Sequence, residues 1–142
     1  MIDYQSLNHT KWDCKYHVVW IPKCRRKTLY GQLRTELGPV LRNLALRKES
    51  GVMEGRLIVD HVHMLVSILP KYAVAQVVGY IKGKSAIWVA RVRGRKQNFT
   101  GESFWARGYA VSTTGFDEET IREYIRSQEE EDSKLDQLKL FE

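Results

Sequence analysis

Asp60-His61-Val62-His63-Met64-Leu65-Val66-Ser67-Ile68-Leu69, closed by Pro70, is the stretch on which the fold turns. Apolar and β-branched residues alternate with others over a short run ending at proline, the pattern of a β-strand. Side chains of a strand alternate between faces. Val62, Met64, Val66 and Ile68 therefore share one face, directed at a core. His61 and His63 share the other, about 6–7 Å apart along the strand. At that separation both imidazoles can reach one divalent cation.

At 142 residues the chain has the length of one domain with room for a sizeable core. It contains no apolar run of membrane-spanning length. Its start, Met1-Ile2-Asp3-Tyr4-Gln5, is neither basic nor followed by the apolar segment of a secretory signal. A soluble, cytoplasmic protein is expected. Cys14 and Cys24 bracket a predicted strand and lie about 30 Å apart if that strand is extended, so they read as reduced thiols rather than a disulfide. Charge is unevenly spread. Residues 1–116 carry 19 Lys and Arg against 7 Asp and Glu, whereas residues 117–142 carry 4 against 10. A basic body with an acidic helical end points to a polyanionic partner, for a cytosolic protein a nucleic acid. The basic clusters are Lys23, Arg25, Arg26 and Lys27, and Arg91, Arg93, Arg95 and Lys96.

Working outward in chain order, residues 1–14 show no period and read as an irregular lead-in. Lys15 to Ile21 is a strand with Tyr16, Val18 and Trp20 on one face and His17, Val19 and Ile21 on the other. Pro22 closes it. Leu37, Leu41, Leu44 and Lys48 recur at helical spacing within 33–48, and Pro39 implies either a start there or a bend. Gly51 is the expected left-handed cap. Val52 to Val59 is a second strand, joined through Asp60 to the histidine strand as an antiparallel hairpin. Val74 to Arg91 forms a helix with Val74, Val77, Val78, Ile81 and Trp88 inward, and with Lys82 and Lys84 outward. Residues 92–103 read as a basic loop, and Phe104 and Trp105 as core. Tyr109 to Thr113 is the last strand. Asp117 caps a helix over about 117–133, followed by an apolar tail at 134–142. The order β-α-β-β-α-β plus a helix is α+β, the ferredoxin-like or RRM-like arrangement. It has a four-stranded antiparallel sheet, helices on one face and the other face free. Nucleic-acid-binding versions of this fold use the free face.

Within Thr120-Ile121-Arg122-Glu123-Tyr124-Ile125-Arg126-Ser127-Gln128, Tyr124 and Gln128 stand at i and i+4 on one helical face. Periodicity alone reads them as an amphipathic stripe burying a tyrosine. Taken with His61-Val62-His63 about sixty residues earlier, the set resembles the HUH single-tyrosine nucleases, and more narrowly the IS200/IS605-family transposases. The resemblance spans essentially the whole chain as a single domain. It takes in Tyr16-His17-Val18-Val19-Trp20, Pro70-Lys71-Tyr72, Tyr80-Ile81-Lys82-Gly83-Lys84-Ser85 and Phe104-Trp105-Ala106-Arg107-Gly108-Tyr109. One departure is Val59, where the family pattern has proline before the Asp-His-Val-His run.

The resemblance implies an enzyme that cleaves and rejoins single-stranded DNA at mobile-element ends. Tyr124 is the implied nucleophile, and His61, His63 and Gln128 the implied ligands of Mg²⁺ or Mn²⁺. It further implies recognition of DNA hairpins and a homodimer in which the tyrosine helix of one subunit completes the histidine site of the other. The basic residues Lys23, Arg25, Arg26, Lys27, Lys82, Lys84, Arg91, Arg93, Arg95 and Lys96 are the candidate DNA contacts, with the protein nucleoid-associated when bound. Two rivals remain: a domesticated relative that cleaves repeat hairpins, and a non-catalytic RRM-like binding module.

Overall fold

The computed structural model describes residues 5–7, 10–23, 29, 31–93 and 104–140. Strands β1 (Gln5–Leu7) and β2 (Thr10–Trp12) form a small antiparallel hairpin where no period was legible. The main sheet follows: β3 (Lys15–Trp20), β4 (Gly51–Ile58), β5 (His61–Ser67) and β6 (Ala110–Ser112), with α1 (Gly31–Arg47) and α2 (Val74–Arg93) between them and α3 (Glu118–Leu140) at the end. Its order is β4-β5-β3-β6 with every neighbour antiparallel, which is the expected ferredoxin-like topology.

Alternation assigns the two faces. Val18, Trp20, Val62, Met64, Val66 and Ile68 are all buried, and cross-strand pairing sets Trp20 opposite Val62 and Val18 opposite Met64. Against them lie Leu33, Leu37, Leu41, Leu44 and Ala45 of α1 and Val77, Val78, Ile81, Ala86 and Val89 of α2. Phe104 and Trp105 close this core. Trp105 meets Trp20 edge to face, and its indole N–H donates to Ser85 Oγ at 2.9 Å. The aromatic pair thus serves packing, as expected.

Several local expectations need correction. α1 begins at Gly31 and continues through Pro39, so the proline does not start it. The proline is exposed, so the Thr35 carbonyl it deprives of an N–H can be hydrated instead. The left-handed residue ending α1 is Glu49 (φ 54°), not Gly51. Ser50 N–H reaches Ala45 C=O and Glu49 N–H reaches Leu46 C=O, the paired bonds of a Schellman cap. These bonds fix the exit two residues before the glycine. The ladder of β4 with β5 carries a register shift between Val52 and Glu54. α3 does not stop at 133 but continues to Leu140, so most of the supposed tail is helix. Lys82 does not face outward: it is half-buried and its ammonium donates to the carbonyls of Ala106 (2.9 Å) and Gly108 (2.5 Å).

Candidate active site

On the second face of the sheet the register gathers His17 and Val19 of β3, His61, His63 and Leu65 of β5, and Glu54, Arg56 and Ile58 of β4. This face is not bare. A cavity of about 510 Å³ is walled by Arg56, Ile58, Asp60, His61 and His63 on the sheet side and by Phe116, Glu118, Ile121, Arg122 and Ile125 on the other. The helix carrying the tyrosine therefore lies over the histidine pair.

His61 is only 8% exposed, and its Nδ1 lies 2.8 Å from Asp60 Oδ1. The carboxylate accepts the Nδ1 proton, which leaves the Nε2 lone pair available, the arrangement that orients a metal-binding histidine. Asp60 is a site residue that the strand pattern did not single out; an acid beside the first histidine was the available signal. His63 is half-buried, with Nε2 3.4 Å from His17 Nδ1 and its ring edge-on to Phe116. Burial, then the neighbouring His17, His61 and Arg56, holds the His63 imidazole below its ordinary pKa, with Glu54 partly offsetting them. A neutral imidazole is the form that ligates a cation.

The linker between β6 and α3 presses on these rings. Gly115 (φ 97°) lies so close that a Cβ there would stand 3.5 Å from His17 Nε2. Asp117 then caps α3, its Oδ1 accepting from Thr120 N–H at 2.8 Å; hydrogen bonding from the Thr120 side chain, and then from its backbone N–H, holds the Asp117 carboxyl below its usual pKa. Tyr124 and Gln128 are both half-buried. The helix turns Ile121 and Ile125 to the histidine cavity, and Tyr124 and Gln128 occupy the adjoining stripe. Gln128 packs at Gly108, where a Cβ would be 3.9 Å from both amide atoms. The structure thus brings His17, His61 and His63 onto one surface, and sets Tyr124 and Gln128 beside it.

Two imidazoles and an amide are a donor set suited to Mn²⁺, and to Mg²⁺ only with water filling most positions. Among the described residues no three His, Cys, Asp or Glu side chains are gathered around one point, so a third protein ligand would have to be of another type, as an amide is. Of the basic candidates, Lys84 and Arg91 are exposed along α2, Lys23 and Arg93 lie at ends of described segments, and Arg25, Arg26, Lys27, Arg95 and Lys96 fall outside the described residues. No helix among the described residues is long and apolar enough to cross a membrane.

Residues 10–128 match the profile of a family described as "Transposase IS200 like", a span that includes His17, His61, His63, Tyr124 and Gln128. The transposase for insertion sequence element IS200 of Salmonella typhimurium is 42% identical over 141 residues, 99% of this chain and 93% of that protein. The ISDra2 transposase TnpA of Deinococcus radiodurans is 30% identical over 124 residues, 85% of this chain and 88% of that protein. Among solved structures, a transposase from Deinococcus radiodurans superposes with a TM-score of 0.76 at 26% identity, covering 87% of this chain and 97% of the other. A REP-associated tyrosine transposase bound to a REP hairpin shares the fold, with a TM-score of 0.53 at 9% identity over 84% of this chain and 68% of that one.

Proposed function

The chain belongs to the IS200-like transposase family, whose work is DNA cleavage and strand transfer, and from that premise we propose that it cuts and rejoins single-stranded DNA through a covalent bond to Tyr124. The observation that carries this reading is the placement of the Tyr124 helix over a histidine pair whose first member is oriented by Asp60. A non-catalytic binding module gives no reason for that aspartate–histidine pair beneath a tyrosine helix.

The chemistry follows from what the residues can do. Tyr124 Oη attacks the scissile phosphorus and gives up its proton; the P–O3′ bond breaks, and the 3′-oxygen leaves as a hydroxyl. The 5′-phosphate remains on Tyr124. One phosphodiester is exchanged for another, so attack by the 3′-OH of a second end restores a DNA bond without ATP. A free phenol has a pKa near 10 and is a weak nucleophile at neutral pH. His61, His63 and Gln128 would hold a divalent cation, Mn²⁺ or Mg²⁺, which draws charge from the phosphate oxygens and the leaving oxygen. Asp60 keeps His61 in the ligating tautomer.

Gln128 sits on Gly108 when the helix lies on its own chain. A homodimer that exchanges α3 through the Ser112–Phe116 linker would deliver Tyr124 and Gln128 together to the partner's histidines. Hairpins at the element ends are the proposed DNA ligands, met by the basic clusters around 23–27 and 91–96, with the protein acting in the cytoplasm on nucleoid DNA. Incubation with single-stranded element ends and Mn²⁺, followed by a denaturing gel, tests the reading. Wild-type protein should give a slow-migrating protein–DNA adduct and Tyr124→Phe none. An undiminished adduct from Tyr124→Phe would refute it.

A further inference from the structure

Arg56 stands opposite His63 in the β4–β5 ladder, as Ile58 stands opposite His61. Opposed residues of an antiparallel pair have Cβ atoms about 4.5–5.5 Å apart, so Arg56 shares the histidine face. β4 is an edge of the sheet and Arg56 is exposed, which puts its side chain at the rim of the site rather than beneath it. It lines the cavity of about 510 Å³ that the tyrosine helix covers, and a smaller one of about 200 Å³ that His63 shares with His17. At the strand edge it also borders a groove of about 870 Å³ whose wall carries Arg34 and Arg42 of α1, both exposed. Charge separates Arg56 from the other guanidinium of the histidine cavity. Arg122 is paired with Glu118 at 2.5 Å, and the second acid of that wall, Asp60, is taken by His61. Arg56 has no ion pair or hydrogen bond among the described residues. An exposed arginine without a partner is ordinary in itself; one facing the histidines, in a cavity whose acids are already engaged, is a fixed positive charge left for an anion.

Resting on the reading above that Tyr124 attacks a DNA phosphodiester at this cavity, we propose that Arg56 is a catalytic residue whose guanidinium holds the non-bridging oxygens of the scissile phosphate. Its planar fork offers parallel N–H donors that match two oxygens of one phosphate. As the bond from Tyr124 Oη to phosphorus forms and the P–O3′ bond breaks, charge gathers on those oxygens. A fixed cation there stabilises the transition state more than the bound substrate. The guanidinium stays protonated throughout, so the proton given up by the phenol is still the one that balances the departing 3′-oxygen. Beyond Arg56, the groove bearing Arg34 and Arg42 gives the flanking phosphates a basic path over the edge of the sheet.

The test separates rate from affinity in the intact protein. Arg56→Gln keeps a planar polar end without charge, and Arg56→Lys keeps the charge without the fork. Both changes fall at an exposed edge position, and melting temperatures verify that each variant is folded. Single-turnover adduct formation at saturating single-stranded element ends gives the rate, and fluorescence anisotropy with the same DNA gives the affinity. The expected result is a rate about 100-fold slower in Arg56→Gln, an intermediate rate in Arg56→Lys, and affinities within about threefold of wild type, since one phosphate contact among many is lost. A wild-type rate in Arg56→Gln would overturn the proposal and leave the Tyr124 reading standing. A fall in affinity alone would also overturn it, because Arg56 would then hold the DNA backbone away from the reacting bond. Lysine no faster than glutamine would do the same, since the shape of the strand edge rather than its charge would be at stake. Tyr124→Phe is run alongside. An undiminished adduct there, or none from the wild type, would overturn the nucleophile reading itself and Arg56's part in it.

Discussion

At the scale of the residue, a few atoms decide which nitrogen of His61 is free. Asp60 Oδ1 takes the Nδ1 proton of His61 at 2.8 Å, so Asp60→Asn should loosen the tautomer while leaving the shape of the turn. Loss of such an outer partner weakens metal affinity about 10–100-fold. Mn²⁺ titration of Asp60→Asn should show a fall in that range, and unchanged affinity would remove Asp60 from the site. His63 gives a pH signature. Burial first, and then the neighbouring His17, His61 and Arg56, hold its pKa below the usual imidazole value of about 6.5. Between the lowered folded value and about 6.5 the unfolded chain binds more protons, so stability rises with pH across that window. The contribution is complete above about 6.5 and is lost as pH falls through the folded value. In metal-free buffer the urea midpoint should drop from pH 7.5 to pH 5.5, and His63→Gln should drop less. Equal drops would place the effect elsewhere.

At the scale of the element, α3 depends on its first turn. Asp117 accepts from Thr120 N–H, and Glu118 and Glu119 face the positive end of the helix dipole. Asp117→Ala should cost about 0.5–2 kcal/mol of helix stability, seen as faster amide exchange over 118–128. Exchange unchanged from wild type would mean that packing alone holds the helix. The same elements indicate what a sequence discloses. The histidine strand was legible because strict alternation puts Val62, Met64, Val66 and Ile68 on one side, and all four are buried. The cap of α3 was legible because an acid precedes the helical run. The β1–β2 hairpin was not, since its short strands carry no repeated apolar face. The exit of α1 departs from the expectation because glycine is the usual left-handed residue, while the Schellman bonds put Glu49 in that position. The end of α3 was set too early at an acidic run, although helix propensity continues through it. Lys82 lies off the apolar stripe of α2, but its long stem carries the ammonium to the 106–108 carbonyls. The candidate site was legible in His61, His63 and Tyr124 as a combination. His17 could be placed with the histidine pair from the sequence only if the two strand faces coincided, which the register confirms; Asp60, Gly115 and Phe116 became visible only when the sheet register and the linker brought them to the same rings.

At the scale of the whole molecule, a half-covered sheet face and a long charged helix at the chain's end suit an assembly in which helices change places. If α3 acts across a homodimer, a protein with His61→Ala and His63→Ala and a protein with Tyr124→Phe are each inactive alone. Co-expressed as a mixed dimer, they hold one site with intact histidines and an intact tyrosine. An adduct from the mixed species, carried on the chain that retains Tyr124, is the expected outcome. Its absence from a verified mixed dimer would assign the cleavage site to a single chain.

The most direct measurement is the location of the covalent bond. Trypsin releases Glu123-Tyr124-Ile125-Arg126 as a peptide with one tyrosine, from a protein whose six other tyrosines lie elsewhere. After reaction with single-stranded DNA and Mn²⁺ and nuclease trimming, mass spectrometry should find this peptide carrying a 5′-phosphodeoxynucleotide on Tyr124. The same mass on a peptide from any other part of the chain, with residues 123–126 unmodified, would contradict the account.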